Sequence, residues 1–244
     1  MTLTAALEGK DGIVCATDSR GTFGDPRNIT AQNDTMKKLY PITKYSVIMV
    51  SGANQQGAMI MNEIQQITLQ KHIEGVTGIM QELRGISRER YNEWFPSFPM
   101  VPHQGAAAPP RPGLIFTIAG YDLGGGKPAI SRIYEILSTQ DYAPNLFDFG
   151  FALSGIPQYA TYLLNRLYTR EMTVKQLLPL AAYIITETAS QDGKVGGDLQ
   201  MSTITPSKGV EILDSESVKR ILKSNEDKSD KLHELFISDI YEEK

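Results

Sequence analysis

The sequence predicts an α+β fold, two antiparallel sheets packed together with helix pairs outside, giving a four-layer α/β/β/α sandwich. Three observations carry this. Short apolar strand runs come in groups joined by Gly-containing turns. Helical segments come in pairs between those groups. The regular strand–helix alternation that builds a parallel sheet is missing.

The elements follow in order. Thr2 to Leu7 and Ile13 to Asp18 are strand-like runs separated by the turn cluster Glu8-Gly9-Lys10-Asp11-Gly12, which predicts a hairpin. Cys15, inside the second run, reads as a small buried hydrophobe. A loop runs from Asp18 through Gly24-Asp25-Pro26-Arg27-Asn28. Lys37 to Ile42 leads into a strand at Ser46 to Val50, ended by Ser51-Gly52. Met59, Met61, Ile64 and Ile67 fall mostly on one side of a helix over Gly57 to His72. A second helix covers Gly75 to Trp94. Phe95 to Gly113 holds six prolines and an Ala-Ala-Ala run, and reads as a surface loop.

Strands resume at Leu114 to Gly120 and Pro128 to Leu137. The Gly124-Gly125-Gly126 turn between them is no phosphate loop, because Pro128 stands where Ser or Thr is needed. Phe149 to Leu153 is a strand ended by Ser154-Gly155. Helices follow at Gln158 to Tyr168 and Val174 to Ser190, then strands at Met201 to Thr205 and Val210 to Leu213. Ser215 to Phe236 is a charged helix or helix pair, and the charged helical segment as a whole is drawn over 215–244. The chain is expected to form one domain over 1–244.

Composition narrows the function classes. The chain has 244 residues, 41% hydrophobic and 21% charged, with a formal charge of -4. That is too apolar for disorder, and the acidic balance argues against a nucleic-acid binder. No run approaches the roughly 20 apolar residues of a membrane span. The start of the chain lacks the basic-then-apolar pattern of a signal peptide, so the expected compartment is the cytoplasm. One cysteine and three scattered histidines offer neither a disulfide nor a metal-ligand spacing, and no cofactor is implied.

Gly-x-Ser-x-Gly, His-Glu-x-x-His and phosphate-loop patterns are absent. One nucleophile needs no histidine: a threonine at a chain terminus, with its own α-amine as base. That amine has an ordinary pKa of about 7.7–8.0, so its free-base form is accessible near neutral pH. Thr2 follows Met1, and removal of Met1 would expose it.

The ordered set Met1-Thr2, Asp18-Ser19-Arg20, Met36-Lys37-Lys38-Leu39-Tyr40, Ser51-Gly52, Leu153-Ser154-Gly155, Asp192 and Gly196-Gly197 resembles the β-type subunits of the proteasome, a family of N-terminal-nucleophile hydrolases. The resemblance runs from Thr2 to about Leu213. It implies Thr2 as nucleophile and proton acceptor, Lys38 as the lysine that lowers the pKa of its hydroxyl, and Asp18 as the partner of Lys38. It implies Ser154 and Asp192 around the terminal amine, the Gly52 N–H as oxyanion donor, and Arg20 as a structural residue. Thr22 would bind substrate main chain, and Gly21, Met36 and Val50 would line an apolar specificity pocket.

The chain departs from the family in three places. Val195 stands where a second serine is expected. The loop between Asp18 and Lys38 is about four residues longer than usual, around Asp25 to Asn28. The Pro-rich segment resembles an insertion. The helical extension that marks α-type subunits is also missing. The implied activity is a threonine peptidase acting on peptides or unfolded proteins inside a homo-oligomeric ring. An α-type ring or an ATPase is a further partner left open; neither nucleic acid nor membrane is expected. Two alternatives remain: a same-fold amidohydrolase or acyl transferase, which could use the same Thr2, Asp18 and Lys38, and a non-catalytic ring subunit, which Val195 favours and the presence of those three residues opposes.

Overall fold

Alternation along the first strand sets the layers. A computed structural model describes residues 2–24, 30–95 and 111–238. In β1 (Leu3–Gly9), Leu3, Ala5 and Leu7 face one apolar cluster while Ala6 faces another. β2 (Gly12–Thr17) repeats the split, with Val14 and Ala16 on one side and Ile13 and Cys15 on the other. Both strands are therefore buried on both faces, and each buried Leu or Ile contributes about 1.5–3 kcal/mol. The two form the expected hairpin, with Thr4 opposite Thr17 and Gly9 opposite Gly12.

The chain continues through β3 (Gly21–Gly24), β4 (Thr30–Asn33), β5 (Leu39–Thr43) and β6 (Ser46–Gly52). Two helices follow, α1 (Asn54–Gln70) and α2 (Val76–Trp94). Then come β7 (Leu114–Gly124), β8 (Lys127–Leu137), β9 (Pro144–Leu146) and β10 (Phe151–Gly155). The second helix pair is α3 (Gln158–Leu167) and α4 (Val174–Gln191). The chain closes through β11 (Gln200–Thr205), β12 (Gly209–Ile212) and α5 (Ser215–Ser238).

One sheet has the order β10-β1-β2-β11-β12 and the other β5-β6-β7-β8-β9, every pairing antiparallel. One apolar cluster joins the first sheet to α3, α4 and α5. Another joins the second sheet to α1 and α2. A third, with Ala6, Cys15, Val47, Met49, Ala119 and Ile133, lies between the sheets. This is the expected four-layer sandwich.

Several details differ from expectation. The stretch read as a loop after Asp18 contains the small β3-β4 hairpin; Asp25 to Asn28, where the extra length was expected, lie outside the described residues. α1 begins at Asn54 rather than Gly57, and Met59 is 57% exposed, so Ile60, Met61 and Ile64 carry its buried face. β7 runs four residues past the expected Gly120 because its apolar stretch continues into an end that pairs with β8, whereas β8 matches expectation apart from one added residue, Lys127. The short β9 was not expected. α5 is a single helix of 24 residues within the charged segment expected over 215–244. Of the Pro-rich segment, 96–110 lie outside the described residues, as do 239–244.

α4 starts at a capping box: the Thr173 side chain bonds Gln176 N–H, and Gln176 returns to the Thr173 N–H. That arrangement satisfies two of the donors a helix start leaves free. Asn225 of α5 donates to the Pro179 carbonyl at 2.8 Å and ties the last helix to α4.

Candidate active site

Thr2 precedes β1 and is fixed from three sides. Its carbonyl accepts the Ile156 N–H at 3.0 Å. Its hydroxyl accepts from Lys38 Nζ at 2.6 Å. The next amide, Leu3 N–H, donates to Asp18 Oδ1 at 3.1 Å. Gly155 makes the first contact achievable. Its φ is +99°, and a Cβ there would stand 1.8 Å from the Thr2 carbonyl oxygen. Only glycine lets the two backbones approach this closely.

Lys38 is fully buried at the lead into β5. Its ammonium has three N–H donors, and each has an acceptor: Thr2 Oγ1, Asp18 Oδ1 at 3.0 Å and the Arg20 carbonyl at 2.6 Å. Burial lowers its pKa from the usual lysine value, and Asp18 opposes that shift. Asp18 follows β2. Its carboxylate accepts from Leu3 N–H, Lys38, Arg20 N–H at 3.1 Å and Gly196 N–H at 3.1 Å. Burial pushes this carboxyl up, and Lys38 with the Gly196 and Leu3 amides pulls it back.

Arg20 stitches the surrounding loops. Its guanidinium makes a two-pronged contact with Asp34, Nε and Nη2 each at 2.7 Å, and donates to the Gly193 carbonyl at 3.0 Å. The Gly196 carbonyl accepts from Ser19 and Arg20 amides. Val195 is buried in the apolar cluster beside α4.

The remaining expected residues divide. Ser154 sits on β10 opposite Thr4, and its hydroxyl bonds Glu135 and, at 2.8 Å, Thr117. The bonds of Asp192 stay in its own turn: its carboxylate accepts the Lys194 N–H at 2.9 Å, and its amide continues the α4 ladder to Thr188. Gly21 is covered by Met36, whose sulfur would lie 1.9 Å from a Cβ at that glycine. Asn54 Nδ2 reaches the same sulfur at 3.6 Å. Val50 instead packs in the cluster beneath α1 and α2, and its amide bonds the Lys38 carbonyl at 2.9 Å. The Thr22 hydroxyl is buried with no partner among the described residues. Gly52, φ +94°, ends β6 against the Gly113 carbonyl. It lines a cavity of about 280 Å³ together with Thr2, Ser51, Ile115, Ser138 and Gly155. Gly21, Thr22, Met36 and Val50 are not among that lining.

Sequence reasoning missed Gln200, Asp34, Thr4, Thr117 and Glu135. Gln200, at the start of β11, accepts from the Lys38 and Leu39 amides at 3.0 and 3.2 Å and donates to the Met36 carbonyl at 2.6 Å. It holds the lysine-bearing segment from 162 residues away. A glutamine opening a strand carries no signal of that reach. Glu135 did leave a signal, a lone carboxylate inside the apolar run Ile133-Tyr134-Glu135-Ile136-Leu137.

Residues 2–77, which carry Thr2, Asp18 and Lys38, match the family model described as proteasome subunit. The chain is also 25% identical over 236 residues to a proteasome subunit beta of Methanocella paludicola, covering 91% of this chain and 96% of that one. The chain is thus similar to the proteasome β-type subunits. The fold is similar to that of Anbu, an ancestral beta-subunit from Yersinia bercovieri. The TM-score is 0.75 with 14% identity, over 96% of each chain, a likeness that speaks for the fold. None of the helices among the described residues is long and apolar enough to cross a membrane.

Proposed function

We propose that this single-domain β-type relative is a threonine peptidase that uses Thr2 as nucleophile once Met1 is removed. The observation that carries the reading is the fully buried Lys38 ammonium, which bonds Thr2 Oγ1 at 2.6 Å and Asp18 at 3.0 Å. A cation beside a hydroxyl favours the alkoxide and lowers its pKa. The freed Thr2 amine accepts the hydroxyl proton as Oγ attacks the scissile carbonyl. The Gly52 N–H stabilises the oxyanion. The amine returns the proton to the leaving amide, and water then releases the acyl ester.

Substrate main chain adds beside Thr22 as an extra strand, with Gly21 and Met36 lining the apolar specificity pocket. Asp192 supports the amine through its turn. The working form is a cytoplasmic homo-oligomeric ring, because family members generally assemble into rings around peptide substrates.

The test is the intact mass of the protein before and after treatment with a peptide epoxyketone, which closes its ring adduct only on a residue with a free amine and a hydroxyl. The expected result is a chain lacking Met1 that gains one adduct. A chain that retains Met1 and takes no adduct overturns the reading in favour of a non-catalytic ring subunit. Product analysis with peptides and with small amides separates a peptidase from an amidohydrolase or acyl transferase of the same fold.

A further inference from the structure

Beneath Thr2, between the two sheets, runs a chain of buried polar side chains that the mechanism above leaves unused. Thr4 Oγ1 lies 3.2 Å from Thr117 Oγ1, Thr117 lies 2.8 Å from Ser154 Oγ, and the Ser154 hydroxyl donates to Glu135. Thr4, Thr117 and Ser154 are almost entirely shielded, and Glu135 is 9% exposed. A carboxylate in such a place is costly unless something offsets it, and the bonded partner here is a single neutral hydroxyl.

The carboxylate end gives the chain a direction. A hydroxyl has one proton and two lone pairs. Ser154 donates its proton to Glu135, so Thr117 donates to Ser154, and Thr4 donates to Thr117. One Ser154 lone pair then remains. Ser154 lies opposite Thr4 on the neighbouring strand, one residue before Gly155, which touches the Thr2 carbonyl.

We propose that Glu135 is a positioning residue for the terminal amine: by accepting the Ser154 hydrogen bond it turns the free Ser154 lone pair toward the Thr2 nitrogen. The inference rests on Thr2 acting as the terminal nucleophile. Ser154 of β10 bonds Glu135 directly, and Thr117 of β7 and Thr4 of β1 follow in the chain behind it. The charged groups at Thr2 are Asp18 and Lys38, already bonded to each other. Burial raises the Glu135 pKa from its ordinary value, and the Ser154 bond lowers it.

The test compares Glu135→Gln with wild type in the rate of peptide epoxyketone adduct formation across pH. A glutamine can present either its donor or its acceptor end, so the direction of the chain is no longer imposed. The expected plateau rate falls about 10–100-fold, the scale of a misplaced reacting group. At the same time the acid limb moves to lower pH, because the ammonium loses an acceptor that favours it. A merely structural defect would lower the plateau without moving the limb.

Wild type that reacts, beside a Glu135→Gln variant with unchanged rate and limb, overturns the proposal and leaves the threonine mechanism standing. Wild type that never reacts removes the mechanism and the proposal together. If Glu135→Gln fails to fold, Ser154→Ala takes its place. A limb shifted the same way supports the proposal, and an unmoved limb overturns it.

Discussion

At the residue scale the site centres on Lys38, whose three donors are all used. Thr2→Ala is expected to abolish turnover and leave folding intact, because the Thr2 backbone bond to Ile156 survives; residual activity at the wild-type level would count against Thr2. Lys38→Ala is expected to lower the rate by about 10²–10⁴-fold through loss of hydroxyl activation and proton-transfer geometry. It should also destabilise the fold by about 3–5 kcal/mol, since Asp18 is left buried without its cation. Chemical denaturation alongside adduct kinetics separates the two losses.

Glu135 adds a pH prediction. Its folded pKa is raised above the ordinary 4.5, so its neutral form costs nothing at low pH, and stability is lost as pH rises through the folded value. Glu135→Gln lacks that loss. Relative to wild type its melting temperature should therefore rise as pH climbs above the ordinary carboxylate value of 4.5. A difference that stays flat across that range would mean Glu135 carries no buried charge.

Thr2, Asp18 and Lys38 were legible because they sit in short motifs with local neighbours. Glu135 and Gln200 were not. Their roles come from pairings 19 and 162 residues away in sequence, which no local pattern encodes.

At the element scale, hairpins and helix pairs were readable because their signals are periodic and close in sequence. β3, β4 and β9 escaped notice. At three or four residues they are too short for alternation to show; β3 and β4 pair with each other, and β9 adds to the edge of β8. Which β strands share a sheet was equally hidden: β10 meets β1 across more than 140 residues, with Leu3 opposite Gly155. Gly155→Ala tests that junction. A side chain at φ +99° that also collides with the Thr2 carbonyl should cost at least about 2 kcal/mol, read as a lowered denaturation midpoint. Adduct formation should slow more than stability alone explains. A variant as reactive and as stable as wild type would show that the close approach is dispensable.

At the scale of the whole molecule, α3, α4 and α5 cover the outer face of one sheet and α1 and α2 that of the other, and the candidate site opens where the two sheets meet. The end of α5 stands apart from this packing, with Leu232, Leu235, Phe236 and Ile237 at least half exposed. The proposed ring predicts a solution mass by light scattering that is a high multiple of the 27.0 kDa chain. A monomeric mass at all protein concentrations would contradict it. None of this higher order was readable as periodicity, since a ring depends on surfaces that look like ordinary surface in one chain.

Thr2 leads into an inner strand, flanked by β10 on one side and β2 on the other. The Ile156 amide that holds its carbonyl and the Leu3 amide that meets Asp18 are therefore expected to exchange when the sheet itself opens, which hydrogen exchange would read. Heating should then leave Thr2 in register until the cooperative transition. Loss of reactivity and loss of the first sheet would be one event, with no earlier stage in which a folded chain has already lost its chemistry.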